Sequence, residues 1–195
     1  MRRTLLTSLI AVVLITVVFG LVYPLVMTGV SQVVFPGKAN GSKVSVNGKI
    51  VGSSLIGQEF KGKGYFHSRP SATGYSGNVT FFSNLGPNSV EAREAVRENL
   101  AAYVALEKPY DPSLTREDVP VDAVTESASG VDPEISQANA WIQAHRIAAV
   151  RNLPLTKVDE LISDHTHRRF LGVLGEPGVN VLQLNIALDK EAPIR

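Results

Sequence analysis

The chain has no cysteine among its 195 residues. This absence excludes a disulfide framework, a cysteine nucleophile and a zinc site built from thiolates. A strong excess of basic residues is also missing, since the formal net charge is only +1. The sequence therefore lacks the electrostatic pattern of a nucleic-acid-binding domain, and we expect no nucleic-acid partner.

Charge is absent from a long stretch near the N-terminus. Arg2 and Arg3 are the first charged residues, and Lys38 is the next. The apolar part of this stretch can cross a membrane, because about 20 helical residues span the ~30 Å hydrocarbon layer. We interpret residues 7–28 as a single transmembrane helix that follows a short cytoplasmic segment, residues 1–6.

A cleaved signal peptide is the alternative interpretation of this N-terminus. Signal peptides usually have an apolar region of ~7 to 15 residues that ends at a cleavage site of small residues. The apolar run is longer here and no A-x-A site follows it, which favours an anchor. The positive charges lie on the short side, so the positive-inside rule keeps the N-terminus in the cytoplasm. We therefore expect a single-pass protein of the cell (inner) membrane, whose remaining chain is periplasmic or extracellular and whose anchor contacts the lipid bilayer.

The chain after the anchor is expected to form a neck, residues 29–42, and one extracytoplasmic domain, residues 43–195. The neck includes FPGKANGS, a loop rich in turn residues. Asn47-Gly48 lies between two short β-branched runs and predicts a type I′ hairpin. Residues 52–88 are rich in Gly, Ser and Asn and predict a long ordered loop. Four aromatic side chains of this loop can pack: Tyr65, Phe66, Phe81 and Phe82.

Three helices are expected in the domain. The first covers residues 89–106, where apolar residues recur every four positions. The second begins at Asp132-Pro133, which reads as an N-cap followed by proline at the first helical position. The third begins at Thr156 with a capping-box pattern and continues to about His165.

The C-terminal part predicts a strand. Residues 181–189, VLQLNIALD, alternate apolar and more polar residues, which is typical of a half-buried strand. The strand, the hairpin and the helices together indicate an α+β domain. The predicted fold class is therefore α+β, with one N-terminal transmembrane helix followed by a single mixed α+β extracytoplasmic domain.

The sequence has no motif that predicts catalysis. It contains neither a P-loop nor H-E-x-x-H, and no nucleophile, base and orienting group can be assembled from it. His165 and His167 could pair on a metal ion, but no nearby acidic trio completes a site. A helix end explains them better, because the C-terminal end of a helix favours histidine. We therefore expect no catalytic residue and no metal site.

Arg69 and Ser71, in the segment RPSA, are the candidate ligand-binding residues. A guanidinium group offers a fork of donors that suits phosphate or carboxylate. The alternative, which we favour, is that Arg69 holds its own loop by bonding backbone carbonyls. The helix start expected at Asp132 is also an anion site in principle, but the carboxylate of Asp132 repels anions from it.

Small residues recur along the anchor at spacings near four or eight. They are Ser8, Thr16, Gly20 and Thr28. Small residues on one helix face allow a second helix to approach closely. We predict that this face contacts a partner subunit, and the alternative is that it faces lipid.

Seven stretches along the chain carry a family resemblance. In order they are YPLVMTGVSQVVFP (23–36), ANGS (39–42), GSSLIGQEF (52–60), YFHSRPSA (65–72), SNLGPN (83–88), VTESASGVDPEIS (124–136) and VNVLQLNIALD (179–189). In this order and spacing they resemble the KdpC family, the small subunits of Kdp-type potassium-transporting ATPases. The family usually reads SGGSNL where this chain reads SGNVTFFSNL, residues 76–85, and the difference concerns only that loop.

The resemblance implies a non-catalytic accessory subunit of an ATP-driven, high-affinity potassium uptake complex. Its partners would be the channel-like potassium-binding subunit KdpA, the P-type ATPase subunit KdpB and the small peptide KdpF. The family's small subunit is described as a catalytic chaperone that raises the ATP affinity of the ATPase subunit, besides serving assembly. No tightly bound cofactor is implied, and ATP is the ligand that the resemblance suggests. The alternative function is a nucleotide-independent structural or gating cap over the outer potassium entrance of the channel-like subunit.

Overall fold

A computed structural model describes residues 2–78 and 83–193. Phe81 and Phe82, for which the sequence predicts packing, lie outside the described residues. The chain forms two compact units that meet between Lys43 and Val44.

The first unit is dominated by an apolar helix from Arg2 to Val34. It consists of α1 (Arg2–Val17), a π turn (Val18–Val22) and α2 (Tyr23–Val34). None of these residues is buried, and the helix is long and apolar enough to cross a membrane. The predicted apolar N-terminal helix is confirmed. It also includes residues 29–34, which the sequence interpretation assigns to the neck.

The π turn has a local cause. Pro24 has no N–H group, so the regular helical hydrogen-bond ladder cannot continue through it. The N–H of Tyr23 donates to the carbonyl oxygen of Val18, five residues earlier, and not to that of Phe19. A proline-linked adjustment of this kind is tolerated in membrane helices.

The predicted loop of the neck contains one helical turn, α3 (Pro36–Ala39). Phe35 ends α2 with φ −133° and ψ 55°, and Pro36 then occupies the first helical position, for which its fixed φ is suited. The side-chain amide of Asn40 donates to the carbonyl of Pro36 at 2.7 Å and to Oε1 of Gln32 at 3.0 Å. These local bonds explain why a segment rich in turn residues is helical.

The boundary between the units falls within β1 (Lys43–Val46), which forms a hairpin with β2 (Lys49–Ser53). Asn47 and Gly48 both have positive φ, 51° and 77°, as a type I′ turn requires. The predicted hairpin is confirmed. The described residues of the long loop that follows, 54–78 and 83–89, contain no helix or strand, in agreement with the prediction.

The next three α-helices match the three that the sequence predicts. They are α4 (Val90–Glu107), α5 (Gln137–Arg151) and α6 (Leu155–Asp164), and a 3-10 turn (Val121–Ala123) lies between the first two. The predicted first helix is confirmed, and Oγ of Ser89 caps it by accepting from the N–H of Ala92 at 3.0 Å. The third helix is confirmed in position, but Pro154 precedes its first turn without a side-chain cap, so the predicted capping box at Thr156 is wrong.

The predicted start of the second helix, at Asp132-Pro133, is wrong. Ser136 is the N-cap, since its Oγ accepts from the N–H of Asn139 at 3.1 Å. The two residues before Ser136 form a short strand, β3 (Glu134–Ile135). Asp132 caps no helix; its Oδ1 accepts from the N–H of Glu134 at 3.0 Å. Pairing with a distant strand has overridden a local helix signal.

The predicted C-terminal strand is also wrong. Residues 181–189 belong to α7 (Val181–Glu191), and only the preceding residues form a strand, β5 (Gly178–Asn180). The side chain of Asn180 caps α7 by accepting from the N–H of Gln183 at 3.1 Å. The buried positions of α7 follow the helical spacing and not the predicted alternation: Val181, Leu182, Leu184, Asn185 and Leu188.

The domain core lies between the helices and a small antiparallel sheet. In that sheet β5 is central, with β3 on one side and β4 (Thr166–His167) on the other. Helices α5, α6 and α7 supply most of the buried apolar side chains, and Phe66 from the long loop joins them. The mixture of helices and small sheets confirms the predicted α+β class.

Candidate functional site

The long loop is fixed to the helices by two amide side chains. Asn185 of α7 accepts from the N–H of Phe66 at 2.8 Å and donates to its carbonyl at 3.0 Å. Gln143 of α5 accepts from the N–H of His67 at 2.7 Å and donates to its carbonyl at 3.0 Å. Each amide therefore replaces a strand partner for one residue of the loop, and the side chain of Phe66 is held in the core.

A fully buried arginine holds the next part of the same loop. Arg146 of α5 pairs with Glu107, with Nε 2.9 and 3.0 Å from the two carboxylate oxygens. Its Nη1 donates to the carbonyl oxygens of Tyr65, at 2.9 Å, and Lys63. Burial raises the pKa of Glu107, while the nearby Arg146 charge opposes that rise. The ion pair thus connects α4, α5 and the loop.

Arg151, one of the last residues of α5, makes a similar connection. Its Nε donates to the carbonyl of Gly64 at 2.7 Å, and its Nη1 lies 2.8 Å from Oδ1 of Asp189. The guanidinium carbon lies 4.7 Å from the centre of the Tyr65 ring, which adds a cation–π contact. Residues 62–70, the clamped loop, are therefore held by side chains of α5 and α7, and Glu107 of α4 holds Arg146 in place.

Sequence reasoning missed these clamp residues. A signal was present in α5, where Asn139, Gln143 and Arg146 recur at helical spacing beside the small apolar residues Ala140 and Ala144. A polar stripe on the buried side of a helix indicates a buried hydrogen-bond network. The sequence does not identify the partners of this network, because they are backbone groups of a loop that is distant along the chain.

A cleft of about 300 Å³ lies beside the clamped loop. It is lined by side chains of the loop, α4 and α5, among them His67, Asn99, Tyr103, Glu107 and Asn139. Burial and the Arg146 charge lower the pKa of His67, so the ring is neutral near pH 7. No lysine or arginine is among the described residues that line the cleft. The cleft can offer neutral donors and acceptors, but it has no cation for a phosphate group.

The structure brings the candidate residues Arg69 and Ser71 to one neighbouring segment, residues 125–132. Nη1 of Arg69 lies 3.0 Å from Oδ2 of Asp132, and Nη2 lies 3.4 Å from the carbonyl of Glu126. Oγ of Ser71 donates to the carbonyl of Gly130 at 2.6 Å. The favoured alternative expected Arg69 to bond its own loop, whereas its partners belong to another one. Anion binding by these two residues stays a prediction, and it would require competition with a carboxylate.

The two histidines weighed as a metal pair have other neighbours. Nδ1 of His165 lies 2.8 Å from the carbonyl of Leu161 at the end of α6. Nδ1 of His167 lies 3.2 Å from Oε1 of Glu134 in β3, a strand of the same sheet. No group of three or more metal-binding side chains occurs within residues 2–78 and 83–193.

The π turn changes which small residues of the anchor share a face. At about 100° per residue, a regular α-helix would place Thr28 about 120° around the axis from Thr16. The π turn absorbs one additional residue, which reduces this angle to about 20°. Thr16, Gly20 and Thr28 therefore lie on one side, and Ser8 lies about 80° from Thr16. Whether this face contacts a partner stays a prediction.

Comparison with known proteins assigns the family. The model of the KdpC family, described as K+-transporting ATPase, c chain, matches residues 5–190. A relative from Koribacter versatilis (strain Ellin345) is 43% identical over 196 residues, which cover 100% of this chain and 98% of the relative. Relatives from Mycobacterium tuberculosis (strain ATCC 25618 / H37Rv) and Herpetosiphon aurantiacus are 47% and 48% identical. Each alignment covers 97% of this chain, with 100% of the first relative and 97% of the second.

All three relatives carry the name potassium-transporting ATPase KdpC subunit. Their similarity extends through both the anchor and the domain, because the family match begins at residue 5 and ends at residue 190. The chain therefore belongs to the KdpC family of K+-transporting ATPase subunits.

Proposed function

We propose that this chain is a non-catalytic accessory subunit that the potassium pump needs for assembly and activity. The observation that carries the proposal is the apolar helix Arg2–Val34, none of whose residues is buried. A helix that is apolar all round is stable only inside a membrane or against other apolar helices. Its partners would be the channel-like subunit KdpA, the ATPase subunit KdpB and the small peptide KdpF.

The chain's own residues argue against a role as motor or pore. The sequence lacks the D-K-T-G phosphorylation motif of P-type ATPases, since Asp189-Lys190 is followed by Glu191. One candidate span, within the part of the chain that the structure describes, is too few to enclose an ion pathway. The ATP-hydrolysing and potassium-conducting steps would therefore belong to the partners.

The effect on ATP affinity would be indirect. Arg69, the candidate phosphate ligand, is paired with Asp132, so a phosphate group would have to displace a carboxylate. A subunit that binds one conformation of its partner more tightly raises that partner's ligand affinity without touching the ligand. We infer that the chain acts as a catalytic chaperone in this sense, through packed subunits.

The second candidate function is a structural or gating cap over the outer potassium entrance. The pairing of Arg69 with Asp132 favours it, because the candidate phosphate ligand is already held by a carboxylate of the domain. The two functions differ in what a domain variant changes in the assembled pump. An altered potassium affinity at unchanged ATP affinity supports the cap, and the reverse supports the chaperone.

Both functions place the domain outside the cytoplasm, which labelling can test. The chain has no cysteine, so Ser42→Cys and Thr4→Cys each introduce a single thiol. On spheroplasts, an impermeant thiol reagent should label the Ser42→Cys protein and leave the Thr4→Cys protein unlabelled until the membrane is permeabilised. The reverse pattern would overturn the proposed orientation and, with it, the cap.

A further inference from the structure

The hairpin between β4 and β5 ends in a group of exposed apolar side chains. Phe170 is 68% exposed, Leu171 78%, Val173 72% and Leu174 58%. We call residues 170–174 the apolar tip. Isolated exposed apolar residues are ordinary, but a contiguous group at the end of a hairpin indicates an interaction site.

The backbone of the apolar tip is suited to an apolar environment. Phe170 and Leu174 exchange both backbone hydrogen bonds, at 2.8 and 3.0 Å. The N–H groups of Gly172 and Val173 also donate within the hairpin, at 3.1 and 3.2 Å. Leu171 and Gly172 have positive φ, 53° and 77°, which closes the turn tightly. Four of the five N–H groups of the tip therefore have recorded partners within the hairpin, which lowers the cost of leaving water.

The side chains of the tip do not form one flat face. Phe170 and Leu174 are directly opposed across the hairpin, so their side chains point to the same side of it. Leu171 and Val173 occupy the alternate positions, between the pair and the end of the turn. A protein partner would cover one side of such a hairpin, whereas a bilayer surrounds an inserted tip on all sides. The arrangement therefore favours a lipid bilayer over a protein as the partner of the apolar tip.

Positive charge lies immediately before the tip. Arg169 pairs with Glu176 at 2.6 Å, while Arg168 is exposed and makes no ion pair among the described residues. An apolar loop with flanking basic residues matches a bilayer whose headgroups are anionic, because each arginine near such a surface is attracted to it. Phe170, next to the arginines, is of the residue type that interfacial segments bury at the boundary between headgroups and acyl chains.

The chain itself supplies a membrane nearby. Residues 35–42 connect the apolar helix to β1. At about 3.5 Å per residue, this connection reaches at most roughly 28 Å even when fully extended. The domain is therefore tethered close to the surface of the bilayer that holds the helix.

We propose that the apolar tip inserts into the membrane interface, where Arg168 and Arg169 contact anionic lipid headgroups. The domain would then have a second membrane attachment besides the helix, which limits its rotation about the neck. The inference goes beyond the proposed function, since it requires only that the helix anchors the chain in a membrane.

Single-cysteine labelling of the full chain can test this insertion. Val173→Cys reports on the tip, and Val121→Cys is the matched control, because Val121 is an equally exposed valine outside the tip, at 73%. Leu14→Cys, in the middle of the apolar helix, verifies membrane insertion independently. Each protein would carry an environment-sensitive fluorophore and be reconstituted in vesicles of phosphatidylcholine with or without phosphatidylglycerol.

In vesicles containing phosphatidylglycerol, the label at residue 173 should emit at shorter wavelength and lose most of its emission to nitroxide-bearing lipids. The label at residue 121 should remain water-exposed and unquenched, and the label at residue 14 should be quenched in every vesicle. Adding Arg168→Gln and Arg169→Gln should reverse much of the change at residue 173.

Two outcomes would overturn the inference. Water-like emission at residue 173, beside normal quenching at residue 14, shows that the tip stays outside the bilayer. Shielding of residue 173 that occurs only after the other pump subunits are added, without lipid quenching, assigns the tip to a protein partner. Either result leaves the proposed accessory function intact, because that function is tested by orientation and by recovery of the complex.

Discussion

The helix from Arg2 to Val34 buries none of its side chains, whereas the domain buries an arginine completely. In the helix, apolar side chains face outward on all sides, and every backbone N–H beyond the first turn can bond within the segment. In the domain, the buried Arg146 is compensated by Glu107, Gln143 and loop carbonyls. The helix therefore needs an apolar environment outside the chain, whereas the domain buries a charged side chain and supplies its partners from its own residues.

The difference predicts where each region is sensitive to substitution. The helix depends on its surroundings, so substitutions there should change assembly and leave the stability of the domain unchanged. The domain depends on buried polar pairs that connect distant segments, so removing one partner should lower its stability. The sole tryptophan, Trp141, lies in α5 and can report domain unfolding in the full chain in detergent.

The largest effect is expected for Glu107→Gln. The substitution keeps the shape of the side chain but removes the charge that compensates Arg146, whose side chain is fully buried. Breaking a buried pair from one side costs about 3–5 kcal/mol. Urea unfolding followed by Trp141 fluorescence should show this loss in the free energy of unfolding.

Glu160→Gln is the matched control for that experiment. Glu160 pairs with Lys157 at 3.6 Å on the surface of α6, and such exposed pairs contribute at most about 1 kcal/mol. Equal losses from the two substitutions would contradict the role assigned to the buried pair.

A smaller loss is expected for Asn185→Ala. The substitution leaves the buried N–H and carbonyl of Phe66 without their side-chain partner, at a cost of about 1–3 kcal/mol for an unsatisfied buried group. Gln183→Ala, on the exposed side of the same helix, should leave the free energy of unfolding nearly unchanged. The same fluorescence assay measures both, and an unaltered Asn185→Ala protein would show that the loop is not held by this clamp.

The hairpin and α7 show which parts of the fold could be read from the sequence. Asn47-Gly48 fixes its own turn through two backbone conformations, so a local rule identified it. The pattern of residues 181–189 fits both a strand and a helix, and the helix is decided by the cap at Asn180 and by packing against α6 and β5. The contacts that hold the clamped loop could not be predicted from the sequence, because Asn185 and Phe66 are separated by 119 positions along the chain.

In the anchor, Gly20→Leu should reduce co-purification of the other pump subunits without preventing membrane insertion. A side chain at Gly20 fits within the isolated helix, since an added Cβ would lie 3.9 Å from Thr16. It would instead obstruct a second helix that approaches this face. The unfolding of the domain, followed at Trp141, should be unaltered, which separates assembly from stability.

Gly29→Leu is the control, because residue 29 lies about 100° around the helix from Thr28 and an added Cβ there would have no atom within 4 Å. Equal recovery of the complex with the Gly20→Leu and wild-type chains would indicate that this face contacts lipid. Equal loss with both glycine variants would indicate a general requirement for the helix and not for one face.

The smallest effect is expected for ATP added to this subunit alone. In the proposed orientation, the domain would lie across the membrane from cytoplasmic ATP. Within the domain, the fork of Arg69 is paired with Asp132, so a phosphate group would have to displace a carboxylate. Titration calorimetry of the full chain in nanodiscs, and of the fragment Gly41 to Arg195, should therefore detect at most weak binding of ATP.

Two variants make that measurement decisive. Arg69→Ala removes the candidate phosphate ligand, and Arg116→Ala removes an exposed arginine that makes no ion pair among the described residues. Tight ATP binding that is lost in Arg69→Ala and kept in Arg116→Ala would make the Arg69 loop a phosphate site and replace indirect coupling by direct binding. Weak heat in all proteins, together with a raised ATP affinity of the assembled pump, would locate the coupling in the contacts between subunits, where a conformational preference suffices.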